Sequence, residues 1–257
     1  QGEGDRRRID RRPRRRNPEA SGMTIRGILF DKDGTLVDFQ KTWHAIGDAM
    51  ALEAAQGDRQ RADRLMDAAG YDSAAGRFRA DSTFAAGTNA DIVALWHPGL
   101  TEGQRLAMVE RFDTFCAIKG AEAAVDLPGV LHALAGFYAG GLKLGVATND
   151  STSGAERTLL TLGVAQMFAA AFGYDAVANP KPEPDSVYAF CDAVGLRPSE
   201  IAMVGDNRHD LEMGKAGGVG LNIGVLSGTG TRESLQPLAD IVLNSVADMP
   251  AYLLGRV

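Results

Sequence analysis

Apolar and polar positions change rhythm twice along the chain. Residues 24–30, "TIRGILF", form a short apolar run rich in Ile and Leu that ends at an aspartate, and this predicts a buried strand. Between residues 39 and 126 the spacing becomes helical. "KTWHAIGDAMALEAA", "DRQRADRLMDAAG", "ADIVALW" and "TEGQRLAMVERFDTFCAIKGA" repeat apolar positions every three to four residues and show little strand character. Met50, Phe112 and Phe115 recur at that spacing and are expected in a core. After "DLPGV" the texture alternates. "LKLGVATND", "FAAAFGYD", "EIAMVGDN" and "VGLNIGV" read as strands, and "LHALAGFYAGG", "SGAERTLLTLG", "PDSVYAFCDAVG" and "DLEMGKAGG" as helices. Alternating strands and helices predict a parallel sheet with right-handed crossovers and helices on both faces. The expected organisation is an α/β core from residues 23–38 and 127–257, interrupted by a helical insert over residues 39–126.

Composition changes this picture mainly at the N-terminus. The chain has 257 residues, 45% of them apolar, enough for a packed core. No apolar run approaches the roughly 18 residues that cross a bilayer, and no secretory pattern is evident, so a cytoplasmic location without membrane contact is the expectation. Cys116 and Cys191 lack CxxC or histidine spacing and are expected as buried thiols. Residues 1–22 carry eight arginines against four acids, while the whole chain is −6. Such a segment, poor in apolar residues, is expected to be a disordered basic tail, with Met23 a candidate start. The acidic body argues against nucleic acid as the main partner. Oligomeric state is left open.

Candidate chemistry gathers where the strands end. In "ILFDKDGTLVD" the alternation of an extended chain puts Asp31 and Asp33 on one side and Lys32 on the other. Two carboxylates forced together point to a metal site or an acid/base pair, or to an Asp-rich turn closing the strand. Ligands of such sheets collect at the carboxyl ends of the strands, near the reversal of strand order. Thr148 and Asn149 end a second strand there, and Asp206 a third.

In order and surroundings, "DKDGTL", "VATND", "NPKPEP" and "VGDNRHD" resemble the four motifs of the haloacid dehalogenase superfamily, and the resemblance runs from Thr24 to about Ile223. It implies a Rossmann-like core with the helical insert as a cap domain, as in phosphoglycolate-phosphatase-like members. It further implies a magnesium-dependent phosphatase that hydrolyses a small phosphate ester through an aspartyl phosphate. In that light Asp31 corresponds to the nucleophile and Asp33 to the general acid/base. Magnesium would be held by the Asp31 side chain, the Asp33 backbone carbonyl and Asp206, with Asp210 holding a metal-bound water. Thr148 and the Asn149 N–H would bind phosphoryl oxygens, and Lys181 would neutralise charge on the transferred group. Gly34 would let the chain turn so that backbone N–H groups face the phosphate.

Each assignment has a plainer counterpart: a helix cap for Thr148, a solvated loop lysine for Lys181. His44, His209, Arg77 and Arg79 are candidate substrate contacts, with structural roles as the alternative. Lys32 departs from the apolar or aromatic residue common in the family, and its orientation away from the carboxylates is expected to spare the chemistry. "DKDGT" also resembles the phosphorylation motif of P-type ion pumps, which the absence of apolar spans in the sequence argues against. A dehalogenase would not need Asp33. Phosphomutase, phosphonate hydrolase and a catalytically silent binding module remain alternatives on the same fold.

Overall fold

The protein was analysed as a computed structural model that describes residues 24–254; the basic segment 1–22 lies outside the described residues. In chain order the elements are β1 (Gly27–Phe30), α1 (Phe39–Ala54), α2 (Arg59–Ala69), β2 (Tyr71–Asp72), β3 (Arg77–Phe78), α3 (Thr83–Ala86), α4 (Asn89–Trp96) and α5 (Glu102–Ala123). There follow α6 (Val130–Ala139), β4 (Lys143–Ala147), α7 (Thr152–Thr161), β5 (Phe168–Phe172), α8 (Asp185–Val194) and β6 (Ile201–Gly205). The chain continues through α9 (Arg208–Gly217), β7 (Leu221–Val225), α10 (Arg232–Leu235), β8 (Ile241–Leu243) and α11 (Met249–Leu254).

Six strands form one parallel sheet in the order β5-β4-β1-β6-β7-β8. Strand β1 lies between β4 and β6, with Ile28 opposite Leu144 on one side and Ala202 on the other. It is therefore the point where the chain's winding direction reverses. Its residues are buried on both faces, which explains why "GILF" reads as a continuous apolar run rather than an alternating one. One core cluster unites Ile28, Phe30, Leu134, Val146 and Val204, and a second, on the other face, unites Leu29, Phe190, Ile201 and Met203.

Between β1 and α6 the chain is helical, as its spacing predicts, and carries its own cluster around Trp43, Met50, Met66, Trp96 and Phe112. Phe115 packs half-buried against that cluster, and Cys116 and Cys191 are buried and free. Helix α1 is capped by Asp38, whose carboxylate accepts the Lys41 N–H, and α4 and α5 each begin with a capping box. Two features here escaped the periodicity. The β2–β3 hairpin pairs only two residues per strand and α3 is a single turn, both too short to show a period. Strand β8, three half-buried residues at the sheet edge, escaped for the same reason.

Packing at the sheet centre is close. A Cβ added to Gly145 on β4 would sit 2.5 Å from a ring carbon of Phe190 and 3.2 Å from Leu29. Gly145→Ala is expected to destabilise the fold by about 1–3 kcal/mol through overpacking. Urea unfolding should show a lower midpoint with an unchanged slope. An unchanged midpoint would mean that Phe190 has room to move.

Candidate active site

The site is built at the carboxyl ends of the central strands. Asp31 directly follows β1, and its N–H donates to the Val204 carbonyl of β6 at 2.8 Å, which fixes the backbone there. Asp206 directly follows β6. Its carboxylate accepts the Thr229 N–H at 2.7 Å and the Thr35 hydroxyl at 3.4 Å. Asp210 lies in the first turn of α9, where its Oδ2 accepts the N–H of the capping residue Asn207 at 3.0 Å. Oxygens of Asp31, Asp206 and Asp210 all lie within 4.8 Å of one another, and all three residues are buried. Gly34 turns the chain away with φ +88°; a side chain there would meet Asp206 Oδ2 at 2.7 Å.

Lys181 enters this cluster from the loop between β5 and α8. Its Nζ lies 2.7 Å from Asp31 Oδ1 and 2.6 Å from Asp210 Oδ1, so it is no solvated loop lysine. Burial pulls its ammonium down, but the carboxylates of Asp210 and Asp31 outweigh that and the net shift is upward. The carboxyls respond in the opposite sense. Burial pushes Asp31 up to about 7, with Lys181 opposing and Asp210 and Asp33 adding to the rise. Asp206 is raised well above the usual carboxylate range by burial and by its neighbours Asp31 and Asp210. Such a cluster of hard oxygens, with three buried carboxylates against one lysine, fits a divalent cation.

A cavity of about 70 Å³ opens over the cluster, lined on the sheet side by Asp31, Asp33, Thr148, Asn149, Lys181 and His209. Thr148 is buried and its hydroxyl accepts the Asp150 N–H at 3.1 Å, whereas Ser151 caps the following helix, so the capping alternative for Thr148 fails. The helical segment supplies the opposite wall, including Phe39, Trp43, Phe84 and Ile92. Two sheet-side residues clasp that wall. Asn149 Nδ2 donates to the Ala86 carbonyl at 2.8 Å and to the Lys181 carbonyl at 3.2 Å, and His209 Nδ1 lies 3.2 Å from the Ala86 oxygen.

Several expectations need correction. His44 is exposed on α1, its ring against Tyr71, and does not line the cavity. Arg77 on β3 and Arg79 directly after it are both exposed, and Arg79 pairs with Asp67. They lie in the hairpin that periodicity could not register. Lys32 does not turn away from the carboxylates: its Nζ is 2.6 Å from Asp33 Oδ2 and 3.1 Å from Asp150 Oδ2. Strand geometry ends at Phe30, so alternation no longer governs residues 31–33, and the long lysine arm bends back. Asp33 is directed to Lys32 and to Trp43 Nε1, at 2.6 Å, rather than into the cluster of three carboxylates. Trp43, Asp150 and Thr229 were not foreseen. Asp150 stands next to the strand-ending "TN" and offered a signal; Trp43 looked like any core aromatic.

The family model of haloacid dehalogenase-like hydrolases matches residues 25–218. The chain belongs to that family. Among curated relatives, an N-acetylmuramic acid 6-phosphate phosphatase of Pseudomonas putida is 33% identical over 76% of this chain and 81% of its own length. A phosphoglycolate phosphatase of Salmonella typhimurium is 31% identical over 88% of this chain and 92% of its own length. In fold, a haloacid dehalogenase-like hydrolase from Bacteroides fragilis superposes with a TM-score of 0.71 at 18% identity, covering 88% of this chain and all of that one. Among the described residues of this hydrolase, no helix is long and apolar enough to cross a membrane.

The charge state of the cluster sets a pH dependence. An acid whose folded pKa is raised contributes stability that is present below its unfolded pKa, near 4, and is lost as pH rises through about 7. Metal-free protein is therefore expected to melt several degrees higher at pH 5.5 than at pH 8. Millimolar magnesium should raise the melting temperature more at pH 8, where the ligands ionise without competition from protons. Calorimetry with and without chelator reads both trends. Equal stabilisation at the two pH values would remove these carboxylates as the cation's ligands.

Proposed function

We propose that this hydrolase is a magnesium-dependent phosphatase that cleaves a small phosphomonoester through a phosphorylated Asp31. The observation that carries the reading is the Asp31–Lys181 contact of 2.7 Å on the wall of a cavity that Asp33 also lines. It places a carboxylate, a fixed cation and a second carboxylate around one small space. The relatives named as phosphatases of phosphoglycolate and of a sugar phosphate support a phosphomonoester as the substrate class.

In the proposed sequence an Asp31 oxygen attacks phosphorus in line with the ester oxygen. The P–O(ester) bond breaks as the P–O(Asp31) bond forms, and Asp33 gives its proton to the departing alkoxide. Water then attacks the phosphoryl group and loses its proton to Asp33, releasing phosphate and restoring the Asp31 carboxylate. Lys181 offsets negative charge on the transferring group, and the Thr148 hydroxyl and Asn149 N–H bind its oxygens. Magnesium would be held by Asp31, Asp206 and the Asp33 backbone carbonyl, with Asp210 beside them, and when bound it would neutralise charge on the phosphoryl oxygens. The helical segment over residues 39–126 acts as a cap that closes the cavity and selects the leaving group. Its wall is uncharged, so His209 is the group that would meet a carboxylate such as that of glycolate.

Two substitutions separate the roles of the aspartates. Asp31→Asn removes the nucleophile, and turnover should fall to background without phosphoenzyme. Asp33→Asn keeps the backbone carbonyl but not the proton transfer. With a nitrophenyl ester, whose leaving group needs little protonation, it should still become phosphorylated and then hydrolyse slowly, by roughly 10² to 10⁴. Intact mass after acid quench should show the added phosphoryl group in Asp33→Asn alone. Label on Asp31→Asn, or wild-type turnover of an alkyl ester by Asp33→Asn, would reverse the assignment.

A further inference from the structure

Lys32 is a lysine among the most deeply buried side chains of the protein, 1% exposed. Its backbone carbonyl accepts the Leu36 and Val37 N–H groups, so the loop is already ordered without its side chain. Its ammonium donates to Asp33 Oδ2 at 2.6 Å and to Asp150 Oδ2 at 3.1 Å, and lies 5.2 Å from the centre of the Trp43 ring. The other Asp33 oxygen, Oδ1, accepts the Trp43 Nε1–H at 2.6 Å. Asp150 in turn is anchored by the Ser151 N–H on its Oδ1 at 2.7 Å. Asp33 is thus gripped from both sides: by a lysine of the α/β core and by a tryptophan of the helical segment.

A buried ion pair is weak evidence for stability, because well-packed apolar side chains of similar volume often serve the fold as well or better. What the pair does supply is direction. A carboxylate free to rotate about χ2 presents its oxygens to many partners, whereas one pinned at Oδ2 by a braced ammonium has a single plane. We propose that Lys32, braced by Asp150, is a positioning residue that fixes the Asp33 carboxyl plane, so that Oδ1 is the oxygen exchanged between Trp43 and the reacting ester. Trp43 holds Oδ1 in the absence of substrate and must yield it when the acid/base step occurs. The inference rests on the reading of Asp33 as the acid/base group, and it assigns Lys32 no contact with substrate: Lys32 does not line the cavity, while Asp33, Trp43 and Asp150 do.

If Lys32 acts through Asp33, its loss must weaken proton transfer and spare the attack of Asp31. Lys32→Met keeps most of the buried volume. Because it strands Asp150 as a buried charge, Lys32→Met/Asp150→Asn serves as a second variant, and circular dichroism identifies folded protein. With an alkyl phosphate, kcat should fall about 10- to 100-fold with KM nearly unchanged, the size expected for a misaimed acid/base group. With 4-nitrophenyl phosphate the same variants should release a stoichiometric burst of nitrophenolate at a rate within about threefold of wild type, followed by slow turnover as phosphoenzyme waits for its base. A nitrophenolate burst slowed as much as turnover of the alkyl ester, or a lowered burst amplitude, would make Lys32 merely structural and overturn the proposal, as would wild-type kinetics with both esters. Asp33→Asn measured alongside keeps the two levels apart: if it shows no dependence on the leaving group, the acid/base reading of Asp33 fails, and the positioning role falls with it rather than on its own account.

Discussion

Five buried or half-buried carboxylates crowd the carboxyl end of this sheet around two buried lysines, and the rest of the molecule is arranged to make that crowding tolerable. Asp31 and Asp210 share Lys181, with Asp206 beside them, while Asp33 and Asp150 share Lys32. Left to themselves, such groups would protonate or repel, since burial alone raises Asp31, Asp206 and Asp150 above the usual carboxylate range. The lysines offset part of that charge. The unbalanced remainder lies in the cluster of three, which is where a divalent cation would complete the balance.

The parallel sheet makes this possible by aiming several backbone ends at one point. The strand before Asp31 lies between those before Thr148 and Asp206, each more than a hundred residues further along the chain, and the register of β1 against β4 and β6 sets their spacing. Gly34 lets the chain leave β1 close beside Asp206, where any side chain would collide with the carboxylate. Helix α9 adds Asp210 through its capping box, so the carboxylate that accepts the Asn207 N–H also faces the cluster.

The helical segment is coupled to this centre by few but specific contacts. Trp43 reaches Asp33, and the Ala86 carbonyl is met by both Asn149 and His209. A rigid-body shift of that segment would break all three together while leaving the lysine-bridged carboxylates intact. Access to the cavity and the freedom of Asp33 are therefore linked through the same wall.

The sequence by itself determined the alternation of strands and helices, the helical stretch after β1, and the four motifs that carry Asp31, Asp33, Thr148, Lys181 and Asp206, because each is a local pattern: a period, a strand end, a loop between prolines. Its periodicity also placed Met50 and Phe112 correctly in a core. Tertiary structure decided the partners. That Lys32 bends back onto Asp33 and Asp150, that Trp43 is a hydrogen-bond donor to the site as well as a core aromatic, and that His44, Arg77 and Arg79 lie away from the cavity all depend on how the helical segment is set against the sheet. Periodicity states which face of an element is buried, and not what it is buried against; a side chain's chemistry is fixed only when residues distant in the chain supply its neighbours.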